Sequence, residues 1–569
     1  RTLSLIPVRL AAGAFIFLSL LLFPSQAVMA NWEPGGNPIC WAPGDQLTGF
    51  IVTDGTGGAI AAWLDGRTEG DGAGMYVQRF DGSGALLWGR DGIRVADQYP
   101  IQALVTDCAS GAVLLWTDGP GLKAARIDHS GAILWTTPDG EISTDMSGEA
   151  VAVSDGSGGI ITAWIDDRDF STNYNDTYAQ RIDGAGNILW TAGGVPVSAD
   201  SYDDLEIDIA SDGSGGALVC HLSRSGYYYM IDVMRIYGSG ATWSDPFNLH
   251  NSEFISIQAV SIDADASGGS IVAWAQGTDY EDMDIFAYKL DPADNKVRAF
   301  PDSVCHASDA QLDPDVMCDG LGGAFIVWVD DRNGTGDIRG QRLDAYGVKL
   351  WDPDGVVVQG HVELAAEPEL LHLYDSHLII GWKDTRRTWH TESFYAQKLD
   401  LNGGSAWAAD GVRVIEGEEL LGMGGHIMAD KAGCVFAVLT QDQGPGIGLD
   451  LYGGALNWCG VTATPAPVIT DISDVPDDQG GKVRLAIAAA GRDTSVVPPE
   501  PVTHYNVWQQ VPVSSAVPPT TFEADIITED RQFPFEQFEE GEKRFLKALP
   551  GGLFPSGTWE FVGGFEAVQ

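Results

Sequence analysis

Two stretches of this chain gather side chains that can bind a hard cation: Asp279, Glu281, Asp282 and Asp284 in one, Asp169, Asn173, Asn175 and Asp176 in the other. Carboxylate and amide oxygens in such clusters are the ligands calcium takes, and a solvated acidic loop is the plainer alternative. A third stretch, Asp263-Ala-Asp265-Ala-Ser267-Gly268, begins like an EF-hand loop. Its twelfth position is Trp274, where the motif needs a bidentate glutamate, so the match fails. His372, His377 and His390, with Trp389 and Glu392 nearby, could build a metal or acid–base site, but their spacing fits no HExxH pattern. The chain has no GxSxG elbow, P-loop or dinucleotide fingerprint. A carboxylate pair for glycoside cleavage stays open, because any two of 80 acidic residues could meet in the fold.

The elements that would position such groups are written as a repeat. DGTGGAIAAWLDGR at 54–67, DGSGGIITAWIDDR at 155–168 and DGLGGAFIVWVDDR at 319–332 are versions of one phrase. Aligned on its tryptophan, the chain shows eight copies: Trp63, Trp116, Trp164, Trp274, Trp328 and Trp382, with His221 and Leu439 in the same slot of two weaker ones. The period, roughly fifty-three residues, is that of propellers and other arrays. The third copy supplies four strands: Glu149–Ser154, the uniformly apolar Ile160–Ile165, TYAQRID at 177–183, and a last one around GVPVS at 194–198. A strand apolar at every position is covered on both faces, so the four-stranded units must pack sheet on sheet. Arranged radially they make a β-propeller, and no helical periodicity runs through the repeats.

Arg67, Arg168, Arg332 and Arg386 each follow an aspartate of the phrase by two residues. Recurring at equivalent positions, they read as ion pairs ordering each blade, since an active site needs different residues converging. The basic residue of YAQRID, such as Arg79, Arg126 or Arg181, reads likewise. A second tryptophan set that includes Trp88, Trp135, Trp190 and Trp351 reads as packing between blades, with a sugar-stacking platform as the alternative.

DGxGGxxxxWxDxR, YAQRID, GNILW and DGVxV together resemble a group of secreted bacterial β-propeller proteins, often followed by fibronectin-like modules. The resemblance covers about three quarters of the chain and implies a propeller and export. It implies no catalytic residue that could be carried over.

The ends add to this. Residues 1–30 have the basic start, apolar run and small −3 and −1 residues (Val28, Ala30) of a signal peptide, so a secreted, extracellular or cell-surface location is expected. Residues 31–461 form the eight-repeat propeller. The eighth copy lacks a last strand, while the segment after residue 30 looks like the tail of a repeat without its head. An N-terminal strand completing the last blade would remove two open edges. It would bring Cys40 and Cys459 into neighbouring strands, where a disulfide is expected. Residues 462–476 are a Pro-rich linker. Residues 477–569 read as a fibronectin type III- or immunoglobulin-like sandwich, incomplete at its end, with 529–549 as a loop carrying a short helix.

A net charge of −48 and a pI near 4.2 exclude nucleic acid and anionic membrane surfaces as partners. No segment after residue 30 is long and apolar enough for a transmembrane span. The functional expectation is therefore a non-enzymatic exported scaffold that binds an extracellular protein or polysaccharide. The alternative is a secreted carbohydrate-active enzyme or calcium-dependent lectin with its site on the propeller. One asymmetric cleft would favour the enzyme, and an even ring of repeated turns the scaffold.

Overall fold

A computed structural model gives the architecture. The described residues run from Trp32 to Gly460, interrupted at 33–34, 68–69, 139, 141, 169–173, 200, 243–246, 266–267, 294, 298–302, 335, 361–364, 375, 386–391, 418–423, 443–448 and 458–459. Beyond these they comprise Ile6–Pro7 and six strands between Val468 and Glu566.

Eight four-stranded antiparallel sheets form the propeller. Blade 3 is representative, with strands Met146–Ser154, Ile160–Asp166, Asp176–Ile182 and Val195–Pro196, here called a to d. The a strands of neighbouring blades lie against one another and line the central channel. Strand b of blade 3 is buried at all seven positions, as its unbroken apolar run requires when sheets cover both faces.

The repeated phrase encodes a turn and a clasp. In the turn, the Asp155 carboxylate accepts from Ser157 N at 2.8 Å and Gly159 N at 2.9 Å. Gly156 and Gly158 have φ of 75° and 92°, where a side chain would be strained. A Cβ on Gly159 would stand 2.0 Å from the Ile182 carbonyl oxygen. In the clasp, Trp164 Nε1 donates to Asp166 at 2.8 Å and Arg168 Nε at 2.6 Å. The guanidinium also reaches Gly193 O at 2.9 Å and lies over the Tyr178 ring. Burial works against the Asp166 charge, but these hydrogen bonds hold its carboxyl below the usual range. The same clasp closes blades 1 and 6 through Asp65–Arg67 and Asp330–Arg332. Arg386 lies outside the described residues.

Contacts between blades follow the second repeated set. Trp88, Trp135, Trp190 and Trp351 donate to backbone carbonyls of the next blade, at His129, Gly184, Gly238 and Leu401. Arg79, Arg126 and Arg181 pair with the turn aspartates of their own blades and also bond the next blade's backbone. Both sets are architectural, as their repetition indicates.

The ring closes with a strand from the N-terminal side. Asn37–Pro38 pairs antiparallel with Leu449–Leu456 and completes blade 8, whose other strands are Gly425–Ala429 and Val435–Asp442. Cys40 is a free thiol. Its sulfur accepts from Ala42 N and from Arg67 Nη2, both at 3.3 Å, so it is occupied by the clasp of blade 1. Burial pushes this thiol up to about 12. Cys305 makes the same contact with Arg332 at 3.2 Å. Cys40 thus fills a repeat position, and Cys459, its expected disulfide partner, lies outside the described residues.

Residues 1–31 and 463–569 form a second compact unit. One sheet joins Ile6–Pro7, Lys482–Ala488 and Val468–Asp474, and the other joins His504–Val511, Gly557–Glu566, Lys543–Ala548 and Phe535–Glu540. The helix expected within 529–549 is instead a hairpin, Phe535–Glu540 against Lys543–Ala548. Its register sets Glu536 opposite Lys547 and Glu539 opposite Arg544.

Candidate functional site

The channel is where the blades stop being alike. In each blade one a-strand residue pairs with the residue before the tryptophan slot. Around the ring these are Phe50, Ala103, Val151, Asp208, Ser261, Asp315, Glu369 and His426. Blades 4 to 7 are polar and mostly acidic here, and blades 1 to 3 are apolar. His426 of blade 8 stacks on Phe50 of blade 1 with ring centroids 4.4 Å apart.

These acids follow from the fold. The inner edge of each a strand has no fifth strand to pair with, and its N–H groups still need acceptors. Side chains of the preceding blade supply them. Glu149 accepts from Ile207 N at 3.1 Å, Asp208 from Ile262 N at 2.8 Å, Asp263 from Cys318 N at 2.7 Å and Asp315 from Leu370 N at 2.7 Å. Enclosure by the narrow channel disfavours their charge. Burial raises the carboxyls of Glu149, Glu206 and Asp263, and pushes Asp208 up to about 7 and Asp315 to about 6.

Glu369 differs from the rest. It occupies the same ring position, yet among the described residues its carboxyl has no hydrogen-bond donor; its neighbours act through charge alone. Burial, reinforced by Asp315 and Glu367 and opposed by Lys383, pushes it up to about 8. Lys383 is ion-paired with Glu367 one turn of the bulge away. Burial and the Lys383 charge push His426 down to about 4, so it is neutral at physiological pH. Asp315, Glu367, Glu369, Lys383 and His426 therefore converge from blades 6, 7 and 8 at the channel mouth.

The backbone there is bulged. Ladder register shifts between Gln258 and Ser261, Leu312 and Asp315, and Ala366 and Glu369. Ala259, Asp313 and Glu367 sit in these bulges at φ of 54°, 49° and 49°. Left-handed backbone at non-glycine residues is strained, and such strain concentrates at functional sites. The mouth opens at the end of the a strands that also carries the loops from b to c.

The chemistry such a mouth can do is proton transfer. Burial and like charges make Glu369 the weaker acid of the two and leave Asp315 the stronger, which sets a proton donor beside a proton acceptor.

The sequence-level candidates lie elsewhere. Asp279 caps the 3-10 turn Tyr280–Asp282 by accepting from Glu281 N at 3.1 Å, and Asp284 hydrogen-bonds His306. Glu281 and Asp282 are exposed on that turn. Asn175 bonds Asp203 at 2.9 Å and Ser147 at 3.0 Å, and Asp176 is buried opposite Asp166. Asp169 and Asn173 lie outside the described residues, among which no group of three or more His, Cys, Asp or Glu is arranged to hold a metal ion. His372 and His377 sit at the a–b hairpin of blade 7, the end opposite the mouth, and His390 and Trp389 fall outside the described residues. The acid row was missed, but it has a signal: DPD at 313–315 and EPE at 367–369 place a proline inside a strand. Proline is tolerated there only at an edge or a bulge, and both apply.

No protein-family profile matches the chain, and no curated relative does. Among solved structures it is similar to a polysaccharide lyase, an ulvan lyase, with 10% identity over 67% of this chain and 94% of that one, TM-score 0.40. It is also similar to oligopeptidase B from Trypanosoma brucei, with 10% identity, 72% and 55% coverage and TM-score 0.40, so the chain spans about half of that protein. A microbial sialidase matches at 11% identity, 76% and 98% coverage and TM-score 0.33. Likeness at this level is one of fold alone. The expectation of a non-enzymatic scaffold is corrected by the channel itself, which is asymmetric, acidic in blades 4, 6 and 7 and apolar in blades 1 to 3, where a scaffold would show an even ring.

Proposed function

We propose that this protein is an exported carbohydrate-active enzyme that cleaves glycosidic bonds at the mouth of its channel. The supporting observation is Glu369, a carboxyl without a hydrogen-bond donor among the described residues, pushed up to about 8 beside the more acidic Asp315. Glu369 donates its proton to the leaving glycosidic oxygen. Asp315, held by Leu370 N and by Ser261 Oγ at 3.2 Å, is the carboxylate that activates water or stabilises the positive sugar ring. The surrounding acids repel uronates and sulfated sugars, so the substrate is a neutral or amino polysaccharide. Export rests on residues 1–30 and on the resemblance to secreted repeat propellers, with the C-terminal unit as a fibronectin type III-like accessory module. Release of reducing ends from neutral, amino and acidic polysaccharides by the full chain and its Glu369→Gln variant tests the reading. Activity on a neutral or amino polymer that the variant loses supports it. Activity on none of them, or activity equal in the variant, overturns it.

A further inference from the structure

A second asymmetry lies on the same end of the propeller as the channel mouth. The tips joining strand b to strand c carry exposed aromatic side chains in three consecutive blades: Tyr174 in blade 3, Tyr227 in blade 4 and Tyr280 in blade 5. Blade 4 extends furthest, its b and c strands (Ala217–Ser225 and Tyr228–Ile236) having nine residues where blade 3 has seven. At its tip Tyr227 is 70% exposed and stacks on Phe254, 66% exposed, with centroids 5.4 Å apart and planes at 27°. Phe254 belongs to the connection into blade 5 and is held at φ 64°, with its N–H bonded to Tyr227 O at 3.0 Å. A bulky residue pinned in the left-handed region so that its ring faces solvent is costly to keep. The tips of blades 1, 2, 6 and 8 contain no aromatic residue.

We propose that the tips of blades 3 to 5 form a stacking track for the pyranose rings of a polysaccharide, leading to the acidic mouth; the choice of occupant rests on the function proposed above. The C–H faces of a sugar ring match flat aromatic faces, and its hydroxyls need acceptors at their rim. Both are supplied, since Glu253, Asp279, Glu281 and Asp282 flank the rings. Tyr228, also exposed, hydrogen-bonds Glu253. A protein-docking patch would add aliphatic side chains, and among the described residues no large aliphatic one is exposed at these tips.

The test is affinity electrophoresis of the full chain through gels containing xylan, glucomannan, mixed-linkage glucan or chitosan. Tyr227→Ala/Phe254→Ala and Tyr280→Ala are compared with Tyr237→Ala, an exposed tyrosine at the opposite end of blade 4. At least one polymer is expected to retard the wild type, with affinity falling roughly tenfold in each tip variant and unchanged in Tyr237→Ala. Tip variants that bind like the wild type, or a wild type that no polymer retards, would overturn the track. Glu369→Gln separates the two readings: it should bind normally and cleave roughly 10²–10⁴-fold more slowly. Loss of binding in the tip variants of a protein that cleaves no polymer would leave the track standing and remove the catalytic role.

Discussion

The clasp of blades 1, 3 and 6 and the acid row of the channel are both built on enclosed carboxyls and have opposite consequences. In the clasp, Asp65 meets Arg67 and Trp63, so every oxygen of a fully buried carboxylate is paired. In the channel, acids outnumber bases. Lys383 pairs with Glu367 and offsets only part of the effect of burial and of Asp315 and Glu367 on Glu369, which has no hydrogen-bond donor among the described residues. The clasp recurs in blades that keep the tryptophan, aspartate and arginine at fixed spacing, whereas the channel varies because only its edge N–H groups constrain it. The difference teaches where function can enter a repeat protein: at positions the repeat must line but need not standardise.

Changing Glu369 to Gln should therefore lower kcat by roughly 10²–10⁴-fold while the far-ultraviolet circular dichroism stays that of the wild type. An equal loss on removing a clasp residue, measured per folded molecule, would erase the distinction. The clasp should register in stability instead. Asp65→Ala leaves Arg67 and Trp63 buried without their acceptor, and should cost about 3–5 kcal/mol in denaturant unfolding with kcat unchanged.

The pH dependence sharpens the contrast further. Glu369 holds its proton up to about pH 8 in the folded protein but loses it near about 4.3 when unfolded, so stability falls as pH rises between those values. Glu369→Gln should then be about 1–3 kcal/mol more stable than wild type at pH 9 and equal to it at pH 4. The rate profile should be a bell with limbs near 6 and 8, belonging to the Asp315–Glu369 pair as a unit. The smallest effect expected is that of calcium. With Asp279 capping a turn and Asp284 bonded to His306, adding calcium and then EDTA should leave the melting temperature unchanged. A rise with calcium would restore those acids as ligands.

The propeller, its blade number and its closure were legible because turn, doubly buried strand and clasp each demand particular residues at fixed spacing. Gly159 cannot be replaced without meeting Ile182 O, so the phrase is preserved in the letters. The site was not legible for the converse reason. Asp208, Asp315 and Glu369 lie in the least regular strand of each blade, and only the ring places them side by side. The hairpin at 535–548 was misread because its alternation of acidic, basic and aromatic residues suits a helix as well as a strand.

The central claim is that Glu369 stays protonated at neutral pH, and infrared difference spectra of wild type minus Glu369→Gln across a pH titration test it most directly. A protonated-carboxyl carbonyl band that persists to neutral pH and vanishes with a midpoint near 8 is the result this account predicts. A midpoint in the ordinary glutamate range, near about 4.3, would contradict it.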